Sequence, residues 1–205
     1  MSGEGDATSR ARRLALERAA EHGSRPVSNS VGAILRFLCS AVNASTVVEV
    51  GTGTGVSGLW LLSGLGTSGV LTSVDASGER QRAAREAFAA AGYSPQRARL
   101  ITGRALAVLP RLADRGYDLA FIDADRTEYP VLLEEAMRLL RPGGIVVFDG
   151  VVDNPSAAAE RRDPLTRALR SLVERVRDDD ALTAVLLPVG GGLLAASLRS
   201  AAAGA

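Results

Sequence analysis

Lysine is missing from this chain: its 24 basic residues are all arginine. Any mechanism that needs a lysine amine is therefore excluded. Cysteine and histidine occur once each, as Cys39 and His22. A single thiol rules out an internal disulfide framework and a thiolate zinc cluster. A surplus of charge is lacking too, since acidic and basic residues nearly cancel to leave a formal +1. Nothing in that balance argues for nucleic acid or membrane as the partner, which leaves a small molecule. The opening residues MSGEGDATSR contain no apolar targeting run, and the expected location is the cytoplasm.

The chain has 205 residues, 46% hydrophobic and 23% charged. That suits one ordinary globular domain with one core, spanning 1–205, with tails at about 1–8 and 200–205. Short Val/Ile/Leu runs alternate with stretches of helical period, the pattern of an α/β sheet of parallel strands covered on both faces. Strands are expected at 46–50, 70–74, 99–102, 119–122, 145–148, 183–187 and 193–197. The clearest helices are 79–91, 128–140 before the stop signal RPGG, and 164–177. The last two strands are joined by PVGGG, too short for a helix, so the final strand should run antiparallel.

Four of these strands end on an acidic residue: Glu49, Asp75, Asp123 and Asp149. Any one of them, taken alone, reads as a turn or helix cap. Together they would line the crevice beyond the carboxyl ends of the strands, where open α/β sheets bind ligands, and would suit a cationic ligand. The stretch EVGTGTGVSG, residues 49–58, supplies a tight strand-to-helix turn whose amides face that crevice. Gly53, Gly55 and Gly58 also satisfy the dinucleotide fingerprint, and Asp75 would hold a ribose in either case. Glu49 favours a ligand with an amino group over a pyrophosphate, because like charges repel.

The segments VVEVGTGTGVSGLWLL, GVLTSVDASGERQRAAREAF, ITGRALAVLPRL, YDLAFIDADRTEYP and LLRPGGIVVFDGVV resemble S-adenosylmethionine-dependent O-methyltransferases related to catechol and caffeoyl-CoA O-methyltransferases. The likeness runs from about Pro26 to Leu198. It implies a class I methyltransferase (Rossmann-like) fold with a seven-stranded, mostly parallel sheet. By position it implies that Glu49 meets the cofactor's amino group, Gly51 and Thr52 its backbone path, and Ser57 its carboxylate. Asp75 would hold the ribose, Ala76 and Ala105 would flank the adenine, Val27 would close the amino-acid end, and Asp125 would face the cofactor. The resemblance also implies a homodimer.

The family's chemistry uses an aspartate at 123, a lysine at 126 and an Asp-Asn pair at 149 and 150, with a divalent cation gripping the acceptor. This sequence departs twice, with Arg126 and Gly150. Asp123 and Asp149 remain as candidate ligands for magnesium, with Asn154 as a substitute third ligand or a turn residue. Asp123 and Arg126 are the candidate catalytic residues, the guanidinium acting as an electrostatic stabiliser and not as a base. Tyr129 is expected to shape the acceptor pocket, His22 to lie at the surface, Cys39 and Trp60 to be core, and the run 178–180 to be solvated. The leading reading is methyl transfer to a hydroxyl of a small aromatic acceptor. A silent S-adenosylmethionine-binding protein and a nicotinamide-dependent oxidoreductase are the alternatives.

Overall fold

The computed structural model describes residues 3–152 and 163–200. Its elements alternate along the chain: α1 (Gly3–Glu21), α2 (Asn29–Ala41), β1 (Thr46–Val50), α3 (Val56–Gly64), β2 (Val70–Asp75), α4 (Gly78–Ala90), β3 (Ala98–Thr102) and α5 (Ala105–Val108). Then come β4 (Tyr117–Ile122), α6 (Tyr129–Leu139), β5 (Leu140–Asp149), α7 (Pro164–Asp178), β6 (Leu182–Leu187) and β7 (Leu193–Leu198). The seven strands form one sheet in the order β3-β2-β1-β4-β5-β7-β6. Only β7 runs antiparallel, and it lies between β5 and β6. This is the class I methyltransferase topology expected from the sequence.

Strand periodicity decides which helices cover which face. Alternate side chains point to opposite faces, so Leu119 and Phe121 of β4 join the core beneath α1 to α4. Ala120 and Ile122 join the second core, beneath α6 and α7. Both faces are apolar, so the strands read as near-continuous hydrophobic runs. Burying each Leu, Val or Phe contributes about 1.5–3 kcal/mol. The helices are capped as the sequence suggests: Ser28 accepts from the Val31 amide, Ser77 from Arg80 and Asp163 from Thr166.

Two boundaries differ from expectation. The stretch taken as a tail up to about Thr8 is helical from Gly3 onward, part of α1, which packs on α4. A buried stripe of Ala11, Ala15 and Ala19 at four-residue spacing makes that packing close, and it continues into a sequence of low apparent helix propensity. The RPGG stop is not a loop either. β5 begins at Leu140 and its register with β4 jumps between the pairs Tyr117–Leu140 and Leu119–Ile145, so 141–144 bulge from the strand. The expected tail at 201–205 and Asn154 lie outside the described residues.

Candidate functional site

The strand order reverses between β1 and β4: the chain runs outward through β2 and β3, then returns to the other side of β1. Beyond the carboxyl ends of these strands opens a cleft of about 470 Å³. Val27, Gly51, Thr52, Ser57, Asp75, Ala76, Ala105, Asp123 and Asp125 all line it. Nine of the expected site residues are thus brought together by the topological switch point, as open α/β sheets direct.

The glycine loop is shaped by a close approach. Gly51 has φ 98°, and a Cβ there would stand 2.7 Å from the carbonyl carbon of Asp123. Only glycine lets β1 turn over the end of β4. The Gly53 amide donates to Asp75 Oδ2 at 2.9 Å and the Ser77 amide to Oδ1 at 2.8 Å. Asp75 is thereby fixed at the cleft wall with lone pairs still free. Asp125 is exposed and caps the short turn after it, accepting from the Thr127 amide at 2.9 Å and hydroxyl at 2.7 Å, bonds that hold its carboxyl below the usual range.

Glu49 does not stand on the cleft wall. Alternation puts it on the same face as Val47, under α3, and it is fully buried. The Ser57 hydroxyl donates to Oε1 at 2.6 Å and the Ser73 hydroxyl to Oε2 at 2.5 Å. Burial pushes its carboxyl up to about 7 despite those two bonds. Ser57, which lines the cleft, connects it to that buried carboxylate.

Two residues of this network escaped the sequence reading. Ser73 joins Glu49 to Thr52, whose hydroxyl lies 2.6 Å from its own. Gln81 of α4 donates to Thr52 Oγ1 at 3.1 Å and to the carbonyls of Ser73 and Ile101, and accepts from Thr102. The available signal was polarity out of place: a serine inside the strand LTSVD and a glutamine on the buried side of α4.

Of the three groups expected to do chemistry, Asp123 lines the cleft, whereas Arg126 and Asp149 are not among its lining residues and reach Asp123 through their charges. Asp123, one residue past β4, is pushed up to about 6 by burial and by Asp149, with Arg126 pulling the other way. Asp149 is also raised, by burial, against the Gly150 amide and the Arg126 charge. Its Oδ1 is buried with no hydrogen-bond partner among the described residues. Tyr129 does not shape an open pocket: it is fully buried, packs 5.0 Å from Phe148, and donates its hydroxyl to the Asp149 carbonyl at 2.8 Å. It clamps the ends of β4 and β5 together. His22 follows α1 and does not line the cleft, although Gly23 and Ser24 do. Cys39 is fully buried, Trp60 is half-buried beneath the Arg12 guanidinium at 4.0 Å, and 178–180 are exposed.

The described residues do not complete a site for a divalent cation. Among the described residues no set of three or more acidic, histidine or cysteine side chains converges on a metal position. Asp123 and Asp149 supply two carboxylates, Gly150 supplies no side chain, and a Cβ built there would meet the Arg126 guanidinium, 2.6 Å from Cζ. A permanent cation lies where a third ligand would project.

A family model described as O-methyltransferase matches residues 10–198. A protein of Mycolicibacterium vanbaalenii named "Putative O-methyltransferase" is 50% identical over 184 residues, covering 89% of this chain and 81% of its own. Among solved structures, an O-methyltransferase from Bacillus cereus in complex with S-adenosylhomocysteine superposes with a TM-score of 0.84 at 28% identity, over 92% of this chain and 90% of the other. The O-methyltransferase TomG of Streptomyces achromogenes, involved in tomaymycin synthesis and bound to S-adenosylmethionine, gives 0.84 at 27% identity over 95% and 90%.

Proposed function

The chain belongs to the O-methyltransferase family, and from that premise we propose that it transfers the methyl group of S-adenosylmethionine to a hydroxyl of a small aromatic acceptor. The observation that carries this is the cleft itself. One wall offers a glycine loop with Asp75 fixed by two amides, suited to a ribose diol, and the other offers Asp123 at the end of β4. Ala76 and Ala105 give flat apolar walls for the adenine, and Val27 closes the opposite end. Glu49 acts from below through Ser57, supplying negative potential for the methionine ammonium.

In the transfer, the acceptor oxygen forms a bond to the methyl carbon as the sulfur–carbon bond breaks. The electron pair stays on sulfur, which becomes a neutral thioether, and the hydroxyl proton passes to the Asp123 carboxylate. A phenol ionises near 10, so the carboxylate and a nearby positive charge must together favour the phenolate as the bond forms. Family membership sets the nicotinamide alternative aside. No helix among the described residues is long and apolar enough to cross a membrane. The half-exposed Val185 and Leu186 on β6, the strand at the sheet edge, support the reading of a homodimer, and light scattering in solution tests it.

The test of the function is transfer of labelled methyl from S-adenosylmethionine to a panel of catechols, flavonoids and CoA esters, beside calorimetric binding of S-adenosylhomocysteine and NAD. Binding of the first nucleoside with turnover of one acceptor class is expected. Binding of NAD alone would sink the reading, and cofactor binding with no turnover across the panel would mark a silent relative.

A further inference from the structure

We propose that Arg126 and Gly150 act as one unit: the glycine makes the space in which the guanidinium lies, so that a permanent cation stands beside Asp123 and Asp149 in place of a divalent metal. This rests on the methyl-transfer reading above. A Cβ built on Gly150 would stand 2.6 Å from Cζ and 2.8 Å from Nε of Arg126, separations that real Cβ atoms do not show. Any side chain at 150 requires the guanidinium to leave. An arginine at 126 in this position requires glycine at 150. The two departures from the family pattern are one change seen from two residues 24 positions apart.

The surroundings leave room for a cation over an anchored backbone. Tyr129 is fully buried and holds the Asp149 carbonyl at 2.8 Å, so the backbone beneath the guanidinium is anchored to α6. Gly150 itself has φ 71°, a turn that swings the chain away and leaves the space open. Among the described residues no hydrogen bond or ion pair consumes the N–H donors of Arg126. A planar fork of N–H groups remains to meet an acceptor oxygen as negative charge gathers on it. A divalent ion placed between Asp123 and Asp149 would stand beside a like charge.

The decisive measurement is Mn²⁺ affinity by electron paramagnetic resonance on the full chain, stripped with a chelator and loaded with S-adenosylhomocysteine. Four proteins are compared: wild type, Arg126→Ala, Gly150→Asn and the double variant, with asparagine chosen because it tolerates positive φ better than other side chains. Wild type should hold Mn²⁺ only weakly, and the double variant should bind it at least about tenfold more tightly. Gly150→Asn should tighten binding far less while Arg126 remains. Micromolar binding by the wild type, or an equal gain from Gly150→Asn with and without the arginine, overturns the proposal. Should the double variant not fold, Arg126→Ala alone must bind Mn²⁺ more tightly than wild type, and no gain there also overturns it. Failure of the wild type to bind S-adenosylhomocysteine would instead refute the methyl-transfer reading, so the two failures are distinct.

Discussion

Asp118 near the start of β4 and Asp123 one residue past its end live in opposite surroundings. At the amino-terminal rim of the sheet, Asp118 accepts from the amides of Ser45 and Thr46 at 2.7 and 2.9 Å and from both of their hydroxyls, and pairs with Arg141 at 2.9 Å. At the carboxyl-terminal rim, Asp123 is pushed up to about 6 by burial and its neighbour Asp149, and Asp149 keeps a buried oxygen without a partner among the described residues. The first carboxylate is fully used by the fold and ties the start of β1 to β4. The second pair is left short of partners, a cost the fold bears and a ligand can offset. A count of acidic residues in the sequence treats all of them alike; their partners separate the structural from the functional.

The largest expected effect breaks the structural side of that contrast. Asp118→Ala strands two amides and a guanidinium, and each amide left without its partner in this part-buried network costs about 1–3 kcal/mol. Urea unfolding should show that loss, while the folded fraction still binds S-adenosylhomocysteine with unchanged affinity. Next comes Asp75→Ala, on the functional rim. Losing a charge-assisted contact to the ribose costs about 1.5–3 kcal/mol, so calorimetry should find affinity for S-adenosylhomocysteine reduced by tenfold or more. Equal affinity would show that the carboxylate serves only the Gly53 and Ser77 amides.

Glu49→Gln sharpens the contrast through pH. The folded carboxyl titrates near 7 and an unfolded glutamate near about 4.3, so the wild type's stability is fullest below the lower value and is lost as pH rises through the higher. The amide has no charge to bury, and hydroxyls can turn from donor to acceptor to meet it. The two values allow roughly 3–4 kcal/mol at pH 8, of which burying the amide in its place takes back part, so without cofactor the variant should gain about 2 kcal/mol over wild type at pH 8 and almost nothing at pH 4. With S-adenosylmethionine the order should reverse, because the ammonium then has no negative partner. A wild-type stability curve parallel to the variant's between pH 4 and 8 would rule out the raised carboxyl.

How far the sequence carried depended on whether a property was local. The strands from Thr46 to Val50 and from Val70 onward, the β6–β7 hairpin and the helix at Pro164 were legible because period and caps are written in neighbouring residues. The crevice was legible because strand ends and glycines mark it. The submersion of Glu49 was available in principle, since period two places it with Val47, but a charged residue before a glycine loop invites the opposite reading. Tyr129 looked like a pocket residue for being near Arg126, and its burial depends on how α6 leans on β5. The meeting of Arg126 and Gly150 is not local at all. The adjacency of β4 and β5 predicts that their ends are neighbours, whereas which side chain fills which gap is settled only by packing.

The smallest expected effect on stability tests the functional rim most directly. Asp123 carries a folded value near 6 against about 3.9 for an unfolded aspartate, a raised carboxyl whose relative stability is present below the lower value and lost as pH climbs through the higher. Replacing it by asparagine removes a charge that is both desolvated and repelled by Asp149. The two values allow roughly 3 kcal/mol at pH 8, with the Arg126 charge already counted in the higher one, and burying the new amide takes back part of it, leaving about 1 kcal/mol at pH 8 and close to zero at pH 4. If Asp123 takes the acceptor's proton, the same variant should lose turnover by a factor of about 10² or more while its affinity for S-adenosylhomocysteine stays within about twofold of wild type. Greater stability with lost turnover is the signature of a group kept for chemistry at the expense of the fold. Lower stability at pH 8, with turnover falling in proportion to the folded fraction, would instead place Asp123 beside Asp118 among the structural carboxylates, and the contrast between the two rims would fail at its central residue.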